Sequence, residues 1–310
     1  MIVSNYLHKG IRAISNPRYT IYKIMRRLSK WCPCIFYIKA TYYLQNGQKL
    51  NLKNPQTFNE KLNWMKIHLH DSLFTRLADK YEVKEYIAQK IGSSYVVPTL
   101  GIWNNFEEID FNALPNEFIL KATHNSGGIV ICHDKKTFDK ETSSKILKNA
   151  LKQNWYYTSC EWVYKGIRPR ILADTLLKDK NKTELQDYKF WCFNGEPKIM
   201  YITNKGKNIY ENFYDMNFNP ININHGFPRM LPEYSKPNTF EGMRQLATTL
   251  SKNIPFVRID FFDIDGHIYF GEFTFYDWGG MRRFKTKEEE LMLGSWIDLS
   301  SYFKKTDQTL

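Results

Sequence analysis

The sequence predicts an α+β protein of two lobes, in which helices lie at both ends of the chain and short strands occupy its middle. Three observations support this prediction. Helix-capping signals followed by apolar residues at helical spacing occur near positions 57, 79, 139 and 286. Short β-branched and aromatic runs fill the region 118–203, and a strand–turn–strand pattern covers 256–280. A chain of 310 residues can form one domain of two lobes, or two domains.

The composition is that of a globular protein, with 43% hydrophobic and 25% charged residues. No apolar run approaches the ~20 residues that cross a bilayer. No continuous apolar stretch followed by a cleavage site opens the chain, so we expect a cytoplasmic protein. The odd cysteine count and the lack of a CxxC motif predict reduced thiols. These cysteines are Cys32, Cys34, Cys132, Cys160 and Cys192.

The net charge of +12 is concentrated at the N-terminus. Residues 1–53 hold ten of the 44 basic residues, Lys9 and Arg12 among them, and the first acidic residue is Glu60. The remaining 34 basic residues are nearly balanced by the 32 acidic ones. We therefore do not expect a nucleic-acid partner for the protein as a whole.

A basic amphipathic helix is predicted near the N-terminus. Asn16 and Pro17 form a cap and first-turn pair. Apolar residues then recur at helical spacing, at Ile21, Ile24, Met25 and Leu28. Such a helix can lie on an anionic membrane surface, or it can pack its apolar stripe on the protein body. It lacks a large aromatic insertion face, and both alternatives stay open.

The next helices begin at capping residues. Thr57 and Glu60 form a capping box, and Asp79 begins a helix that Gly92 ends. Asp139 caps a further helix, a helix covers 240–252, and Thr286 caps the last one. Strands are predicted at Val96–Val97, Phe118–Lys121, Ile129–Cys132, 170–176, 187–193 and 197–203. Asn194-Gly195 is a hairpin turn, and 204–237 is a long surface loop because it is rich in Asn, Pro and Gly.

The segment FVRIDFFDIDGHIYFGEFTFYDWGG at 256–280 is the strongest chemical signal. It reads as two strands around an Asp265-Gly266 turn. Four polar residues interrupt these apolar strands: Arg258, Asp260, Glu272 and Thr274. Two facing carboxylates repel each other unless a cation lies between them, and a divalent metal that carries phosphates supplies one. The segment therefore predicts a nucleotide and magnesium site.

The register of this hairpin decides whether the site can exist. A two-residue turn pairs Asp260 with Gly271 and puts the two carboxylates on opposite faces. An odd loop of three or five residues pairs Asp260 with Glu272 and Arg258 with Thr274, and the metal site requires it. The alternative is an edge hairpin with solvated charges. Arg258 lies on the same face as Asp260 among apolar neighbours, and this favours the metal site.

Two further segments carry candidate nucleotide contacts. The loop from Lys121 to Gly128 lies between two strands, and its glycine N–H groups can form an anion-binding nest. A plain Ser-Gly-Gly hairpin turn has the same sequence, and His124 is either a hydrogen-bonding loop residue or a phosphate-side residue. Asp187 and Lys189 share one strand face and suit ribose and phosphate, or they form a surface ion pair.

Taken in order, these pieces resemble the ATP-grasp superfamily, and within it the TupA-like branch of teichuronopeptide biosynthesis. The matching segments cover roughly residues 50–280: NPQTFNEKLNWMK, DKYEVKEYIAQKIG, VVPTLGIW, PNEFILKATHNSGGIVIC, CEWVYKGIRPRILAD, LQDYKFWCFNGEPK and FVRIDFFDIDGHIYFGEFTF. The resemblance implies an ATP-grasp fold, in which two α+β lobes hold ATP between antiparallel sheets. It divides the chain into a basic helical segment 1–53, a helical part 54–114, a lid lobe 115–180 and a metal-binding lobe 181–310.

The resemblance also implies roles for single residues. The nucleotide would be bound by Lys80, Lys121, Asn125, Ser126, Gly127, Gly128, Asp174, Leu176, Leu177, Asp187 and Lys189. Arg258 and Lys121 would steady the transferred phosphoryl group, and Asp260, Glu272 and Thr274 would be the metal ligands. Thr274 stands where relatives commonly have Asn, and Asp174 where many have Glu. The segment 277–280 replaces the usual Pro-Gly and leaves the acceptor pocket unassigned.

The implied activity is an ADP-forming ligase that joins a carboxylate to an amine through an acyl phosphate. Its cofactors would be ATP and Mg²⁺, or Mn²⁺. Its substrates would be an amine and a carboxylate-bearing sugar or peptide of the bacterial capsule or cell envelope. Arg168 and Arg170 suit such an anionic partner. The resemblance suggests a cytoplasmic enzyme, peripheral at the inner membrane face. The alternatives are a glycosyltransferase of polysaccharide biosynthesis and a non-catalytic nucleotide-binding scaffold.

Overall fold

The computed structural model describes residues 17–180, 184–204, 209–223 and 226–306. Lys9, Arg12 and Asn16 of the predicted basic segment lie outside these residues. The strands are β1 (Thr99–Trp103), β2 (Phe118–Ala122), β3 (Ile129–Cys132), β4 (Ile171–Thr175), β5 (Gln186–Phe193), β6 (Glu196–Asn204), β7 (Glu211–Tyr214), β8 (Pro220–Ile221), β9 (Phe256–Ile264) and β10 (His267–Thr274).

The strands form two antiparallel sheets. A four-stranded sheet has the order β1-β4-β2-β3, and a six-stranded sheet has the order β10-β9-β5-β6-β7-β8. The chain passes from the first sheet to the second once, between β4 and β5. The fold class predicted from the sequence, α+β with two antiparallel sheets and N-terminal helices, is confirmed.

Helices cover both sheets and both ends of the described chain. They are α1 (Pro17–Leu28), α2 (Cys34–Asn46), α3 (Phe58–His68), α4 (Ser72–Ala78), α5 (Glu82–Lys90), α6 (Lys140–Leu151), α7 (Trp155–Ser159), α8 (Phe240–Ser251), α9 (Lys287–Ser295) and α10 (Ser300–Thr306). Short 3-10 helices lie at Ser29–Trp31, Ser93–Tyr95, Phe106–Glu108, Trp162–Tyr164 and Asp277–Gly280. None of the helices in these residues is both long and apolar enough to cross a membrane.

Three of the predicted helix starts are confirmed by their caps. The helix expected at Asp79 begins later, at Glu82, although the Asp79 carboxylate accepts from the Tyr81 and Glu82 backbone N–H groups. The Thr57 side chain accepts a hydrogen bond from the Glu60 backbone, and the Glu60 carboxylate accepts one from the Thr57 backbone. Asp139 and Thr286 cap α6 and α9 in the same way, by accepting from a backbone N–H three residues later. Short polar side chains stabilise these helix starts because they accept hydrogen bonds from the first N–H groups of a helix, which have no intrahelical acceptor.

Two strand and loop predictions are wrong. Val96–Val97 is irregular, and the strand of this region begins later, at Thr99. The region 204–237 is not one loop, because it contains β7 and β8. Strand β7 was not predicted because it begins with Glu and Asn, which are not typical of strands. In the fold, buried Asn212 donates to the Met230 carbonyl at 3.0 Å and to Glu233 at 2.7 Å, so a polar strand can pack inside.

The prediction that all cysteines are reduced is wrong for one pair. Cys34 and Cys160 form a disulfide with their Cα atoms 5.7 Å apart, while Cys32, Cys132 and Cys192 are free. The two partners are 126 residues apart in the chain. They meet because α2, which the sequence did not predict, packs beside α7. No spacing rule could reveal a contact between such distant segments.

The register of the β9–β10 hairpin combines both of the alternatives considered from the sequence. The turn has two residues, Asp265 and Gly266, both with positive φ, so the predicted odd loop is wrong. The register then shifts at Gly271, and beyond it Asp260 pairs with Glu272, and Arg258 with Thr274. The predicted pairing is therefore confirmed, because a β-bulge supplies the extra residue that the loop does not.

Candidate active site

A cavity of about 460 Å³ lies between the two sheets, and most of the predicted nucleotide residues line it. These are Lys80, Lys121, Ser126, Gly127, Asp174, Leu176, Leu177, Asp187, Lys189, Asp260 and Glu272. Leu176 and Leu177 lie on the connection between the two sheets, directly after β4. Residues from both sheets thus converge on one site, although they lie far apart in the chain.

One end of this cavity is apolar. Ile129 and Ile131 are each 48% exposed and lie two residues apart, on one face of β3. Phe262 and Phe270 of the six-stranded sheet also line the cavity. Exposed apolar side chains that line a cleft suit a flat, largely apolar ring. The sequence analysis did not single out these four residues, because apolar strand residues are ordinarily part of a core.

Asp174 lies on β4 between two lysines at the cavity wall. Its carboxylate accepts from Lys84 at 2.6 Å and from Lys121 at 3.2 Å. Burial lowers the pKa of Lys84, and the charge of Asp174 opposes that shift. Lys84 was not among the predicted site residues. It lies on α5, whereas Lys80 precedes that helix, so helical spacing gave no signal that the two lysines meet in one cavity. Asp174 therefore holds two cationic side chains in the cleft.

The predicted phosphate loop is the β2–β3 hairpin loop. Gly127 and Gly128 have positive φ, which glycine adopts without strain. Lys80, two residues before α5, donates to the Asn125 carbonyl at 2.6 Å and so ties the start of this helix to the loop. Burial lowers the pKa of Lys80, while the charge of Glu272 raises it. Ser126 and Gly127 line the cavity.

Some predicted residues do not reach the cavity. The Asn125 side chain donates to the Ala150 carbonyl at 3.0 Å, and Gly128 packs against Ala150. His124 is buried and its Nε2 contacts the Gln153 carbonyl at 2.7 Å, as expected for a structural loop residue. Arg170 is paired with Asp79 and Glu82, and Arg168 donates to Asn104. Neither arginine lines this cavity or the neighbouring one.

Three charged side chains of adjacent strands β5 and β9 form a line in the cleft. Lys189 donates to Asp260 at 2.6 Å and lies 3.3 Å from Asp187. Burial alone would lower the pKa of Lys189, but Asp260 and Asp187 raise it above its ordinary value. Burial alone would raise the pKa of Asp260, and Arg258 and Lys189 instead hold it below its usual range. Both groups are therefore charged at neutral pH.

Arg258 is bound by three carboxylates. Its guanidinium donates to both oxygens of Asp260 at 2.7 and 2.8 Å, to Glu272 at 2.8 Å and to Asp277 at 2.7 Å. Despite burial, these acids raise the pKa of Arg258 well above its usual value. The sequence analysis noted Asp277 only as a departure from the family pattern. The structure shows that its buried carboxylate orients Arg258.

The donor set at this point suits a hard divalent cation. Asp260 and Glu272 face each other across the ladder, and the Thr274 hydroxyl donates to Glu272 at 3.3 Å. Mg²⁺ prefers oxygen ligands and is commonly held by one or two carboxylates together with phosphates of its substrate. Within the described ranges, no group of three or more His, Cys, Asp or Glu side chains could hold a metal ion. Asp260 and Glu272 are ligands of the type that Mg²⁺ takes together with the phosphates of its substrate.

A second cavity, of about 570 Å³, adjoins the first. Lys80, Ser126 and Glu272 line both cavities, so the two meet at these residues. Arg258 and Thr274 line only the second one, together with aromatic side chains such as Tyr164, Tyr276 and Trp278. Part of its wall comes from α1 and α2, through Tyr22, Arg26, Tyr37, Thr41 and Gln45, and another part from α7, through Trp155, Thr158 and Ser159.

Comparison with known proteins gave one family. The family described as TupA-like ATPgrasp matches residues 60–298. No curated protein sequence matches the chain.

Among solved structures, the chain is similar to D-alanine–D-alanine ligase from Bacillus anthracis. In the complex with ATP, identity is 14% and the TM-score 0.38, over 64% of this chain and 54% of that chain. For a second structure of this ligase, identity is 14% and the TM-score is 0.44, over 74% of this chain and 69% of that chain. For the ATP-grasp ligase PsnB, identity is 12% and the TM-score is 0.40, over 80% of this chain and 67% of that chain. The chain thus spans about half of the first of these structures.

Proposed function

The chain belongs to the TupA-like ATP-grasp family, and from this premise we propose that it is an ATP-dependent carboxylate–amine ligase. We further propose that it acts in the synthesis of a bacterial surface polysaccharide or glycopeptide. The observation that carries the proposal is the meeting of two cavities at Lys80, Ser126 and Glu272. A nucleotide in the first cavity would present its terminal phosphate to an acceptor in the second.

The residues of the first cavity divide into a ring-binding end and a phosphate-binding end. The apolar end formed by Ile129, Ile131 and Phe262 would hold the adenine, and Asp187 would accept from the ribose hydroxyls. Lys80, Lys121 and the loop residues Ser126 and Gly127 would face the phosphates. Together, cationic groups and free N–H groups of this kind stabilise anionic phosphates.

Asp260 and Glu272 would hold Mg²⁺, and the Thr274 hydroxyl would orient Glu272 through the hydrogen bond that it donates to that carboxylate. When bound, this ion would offset charge on the phosphates and on the transferred phosphoryl group. Arg258 donates to both of these carboxylates and lines the second cavity. Its guanidinium would stabilise the charge on the acceptor carboxylate and on the phosphoryl group during transfer. Loss of one such preorganised charge lowers turnover by ~10²–10³.

The proposed ligase reaction has two steps. The acceptor carboxylate attacks the γ-phosphorus of ATP, the bond to the β-phosphate oxygen breaks, and an acyl phosphate and ADP form. An amine then attacks the acyl carbon, and phosphate and a proton leave as the amide forms. The first step supplies a leaving group that a carboxylate lacks. Enclosure between the sheets would keep water from the acyl phosphate.

We place this enzyme in the cytoplasm, with a peripheral contact to the anionic inner face of a membrane through its basic N-terminal helix. The acceptor would be a carboxylate-bearing sugar or peptide, in line with the aromatic and cationic lining of the second cavity. Aromatic faces suit sugar rings, and cationic side chains suit carboxylates.

Thermal unfolding with nucleotides tests the proposal. We expect Mg²⁺ with ATP to stabilise the wild type by ~2.7 kcal/mol at a hundredfold excess over Kd. Asp260→Asn should lose most of this shift, while Asp265→Asn, the same change at the exposed hairpin turn, should keep it. Phosphate release from ATP should then depend on an added carboxylate and amine.

Two results would contradict the ligase. A shift with UDP-sugars in place of ATP would indicate a glycosyltransferase. ATP binding without phosphate release, across a panel of amines and sugar acids, would indicate a nucleotide-binding scaffold. A shift with ATP that Asp260→Asn retains would show that the nucleotide lies elsewhere.

A further inference from the structure

Six large apolar side chains are exposed within one short stretch of the N-terminal segment. They are Ile21, Ile24, Leu28, Trp31, Ile35 and Phe36, and we call them the α1–α2 face. Ile21, Ile24 and Leu28 recur at spacings of three and four, so they form one stripe of α1. Trp31 is 78% exposed and Phe36 is 61% exposed. Exposed apolar clusters of this kind mark interaction sites.

This exposure argues against one of the two alternatives left open by the sequence, in which the stripe packs on the protein body. The apolar stripe of α1 does not pack on the described body, apart from Met25, which is partly buried against the core. The predicted apolar pattern ended at Leu28, so it included no aromatic insertion face. The 3-10 turn that directly follows α1 contains Trp31, and Ile35 and Phe36 lie in the first turn of α2.

The two helices of the α1–α2 face and the turn between them carry charge of one sign. Apart from Arg26, which lines the second cavity, their exposed basic side chains are Arg18, Lys23, Arg27, Lys30 and Lys39. The chain has no acidic residue before Glu60. An apolar face with a basic rim matches an anionic lipid surface, because the apolar side chains enter the headgroup boundary while the basic ones bind anionic headgroups.

The segment is held firmly on the protein. The Cys34–Cys160 disulfide joins α2 to the end of α7, and the Tyr37 hydroxyl donates to the Thr158 carbonyl at 2.8 Å. Tyr37 and Thr158 also line the second cavity. The two helices therefore present one side to the cavity and another to solvent, and whatever binds the outer side lies next to the cavity.

We propose that the α1–α2 face docks on an anionic lipid bilayer, with Trp31 and Phe36 inserted at the interface and the basic rim on the headgroups. Docking would place the second cavity at the membrane surface. The docking specifies which residues make the peripheral membrane contact of the proposed function, and it does not depend on the ligase activity. The consequence that the acceptor is itself held at the membrane rests on that activity.

Vesicle binding by the full chain tests the docking. The probes are vesicles of phosphatidylcholine alone, and vesicles of equal parts phosphatidylcholine and phosphatidylglycerol. We expect the protein to sediment only with the vesicles that contain phosphatidylglycerol. High salt should release it, because salt screens the attraction between basic side chains and anionic headgroups. The tryptophan emission should shift to the blue on binding, and Trp31→Phe should remove most of that shift.

Matched variants locate the contact. Trp31→Ser should weaken vesicle binding about tenfold. Ile146→Ser, which removes an exposed apolar side chain among the lysines of α6, should leave it unchanged. The double change Arg27→Gln and Lys39→Gln should weaken binding about 25-fold, because each basic residue near an anionic surface contributes about fivefold.

The outcomes separate this inference from the proposed function. Asp260→Asn should bind vesicles normally, and Trp31→Ser should keep the thermal shift with Mg²⁺ and ATP, which also shows that it folds. Equal binding to neutral and anionic vesicles, or no binding to either, would overturn the docking. So would a change in oligomeric state in Trp31→Ser with unaltered vesicle binding, because a second copy would then cover the face.

Discussion

The bulge at Gly271 is the local feature on which the geometry of the site depends. A Cβ atom at this position would lie 2.9 Å from the Asp260 carbonyl oxygen and 3.3 Å from the Asp260 Cβ. Backbone cannot move aside as a flexible side chain can, so Gly271→Ala must displace β9 at Asp260. Overpacking of this kind costs about 1–3 kcal/mol. We expect an apparent Tm lower by about 2–6 °C.

The displaced residue is itself a site residue, so binding should fall together with stability. Gly271 lines the first cavity, and Asp260 holds both Arg258 and Lys189. A shift of about 1 Å in such a group can lower turnover about 100-fold. The thermal shift produced by Mg²⁺ and ATP should therefore shrink in Gly271→Ala.

Gly166→Ala is the matched control. A Cβ atom at Gly166 would lie 3.9 Å from its nearest neighbour, the Thr75 side chain, and the φ angle of Gly166 is not positive. Stability and ATP binding should therefore be unchanged. If Gly271→Ala matched the wild type in Tm and in ATP response, the bulge would not set the position of Asp260, and this reasoning would be refuted.

Two further predictions concern buried charges near the second cavity. Burial lowers the pKa of Lys66 to about 8, from 10.5 in the unfolded chain. Between these values the unfolded state binds more protons, so the free energy of unfolding should rise with pH, by up to ~1.4 kcal/mol per unit. Lys66→Met should lack this rise in urea denaturation across the window, and equal slopes would contradict the assignment. Asp277→Asn should lower turnover about 100-fold by freeing one side of Arg258, with little effect on the ATP shift. Full turnover in this variant would show that Asp260 and Glu272 alone orient the guanidinium.

Local signals in the sequence were sufficient for much of the fold. The caps at Thr57, Asp139 and Thr286 are confirmed because a cap is a contact between residues three apart. The polar residues of the β9–β10 hairpin were found because charges in apolar strands are costly and therefore informative. Their pairing was predicted for a wrong reason, since a one-residue bulge and an odd loop change the register equally.

Contacts between distant segments were out of reach of the sequence pattern. Lys84 meets Asp174 across 90 residues, and Cys34 meets Cys160 across 126. Asp277 became a site residue because the 3-10 turn after β10 brings its carboxylate back to Arg258. Periodicity reports which face of an element a residue occupies, but it does not report which other element covers that face.

The sequence by itself determined the α+β class, the helix starts, the glycine loop and the hairpin that carries Arg258, Asp260 and Glu272. These depend on local backbone preferences and on the cost of burying charge, which act over a few residues. Only the tertiary structure decided that two cavities meet at Lys80, Ser126 and Glu272, and that α1 and α2 wall the second one while they expose Trp31. Such features arise from the packing of whole elements, in which each residue gains a role from neighbours that the chain order does not specify.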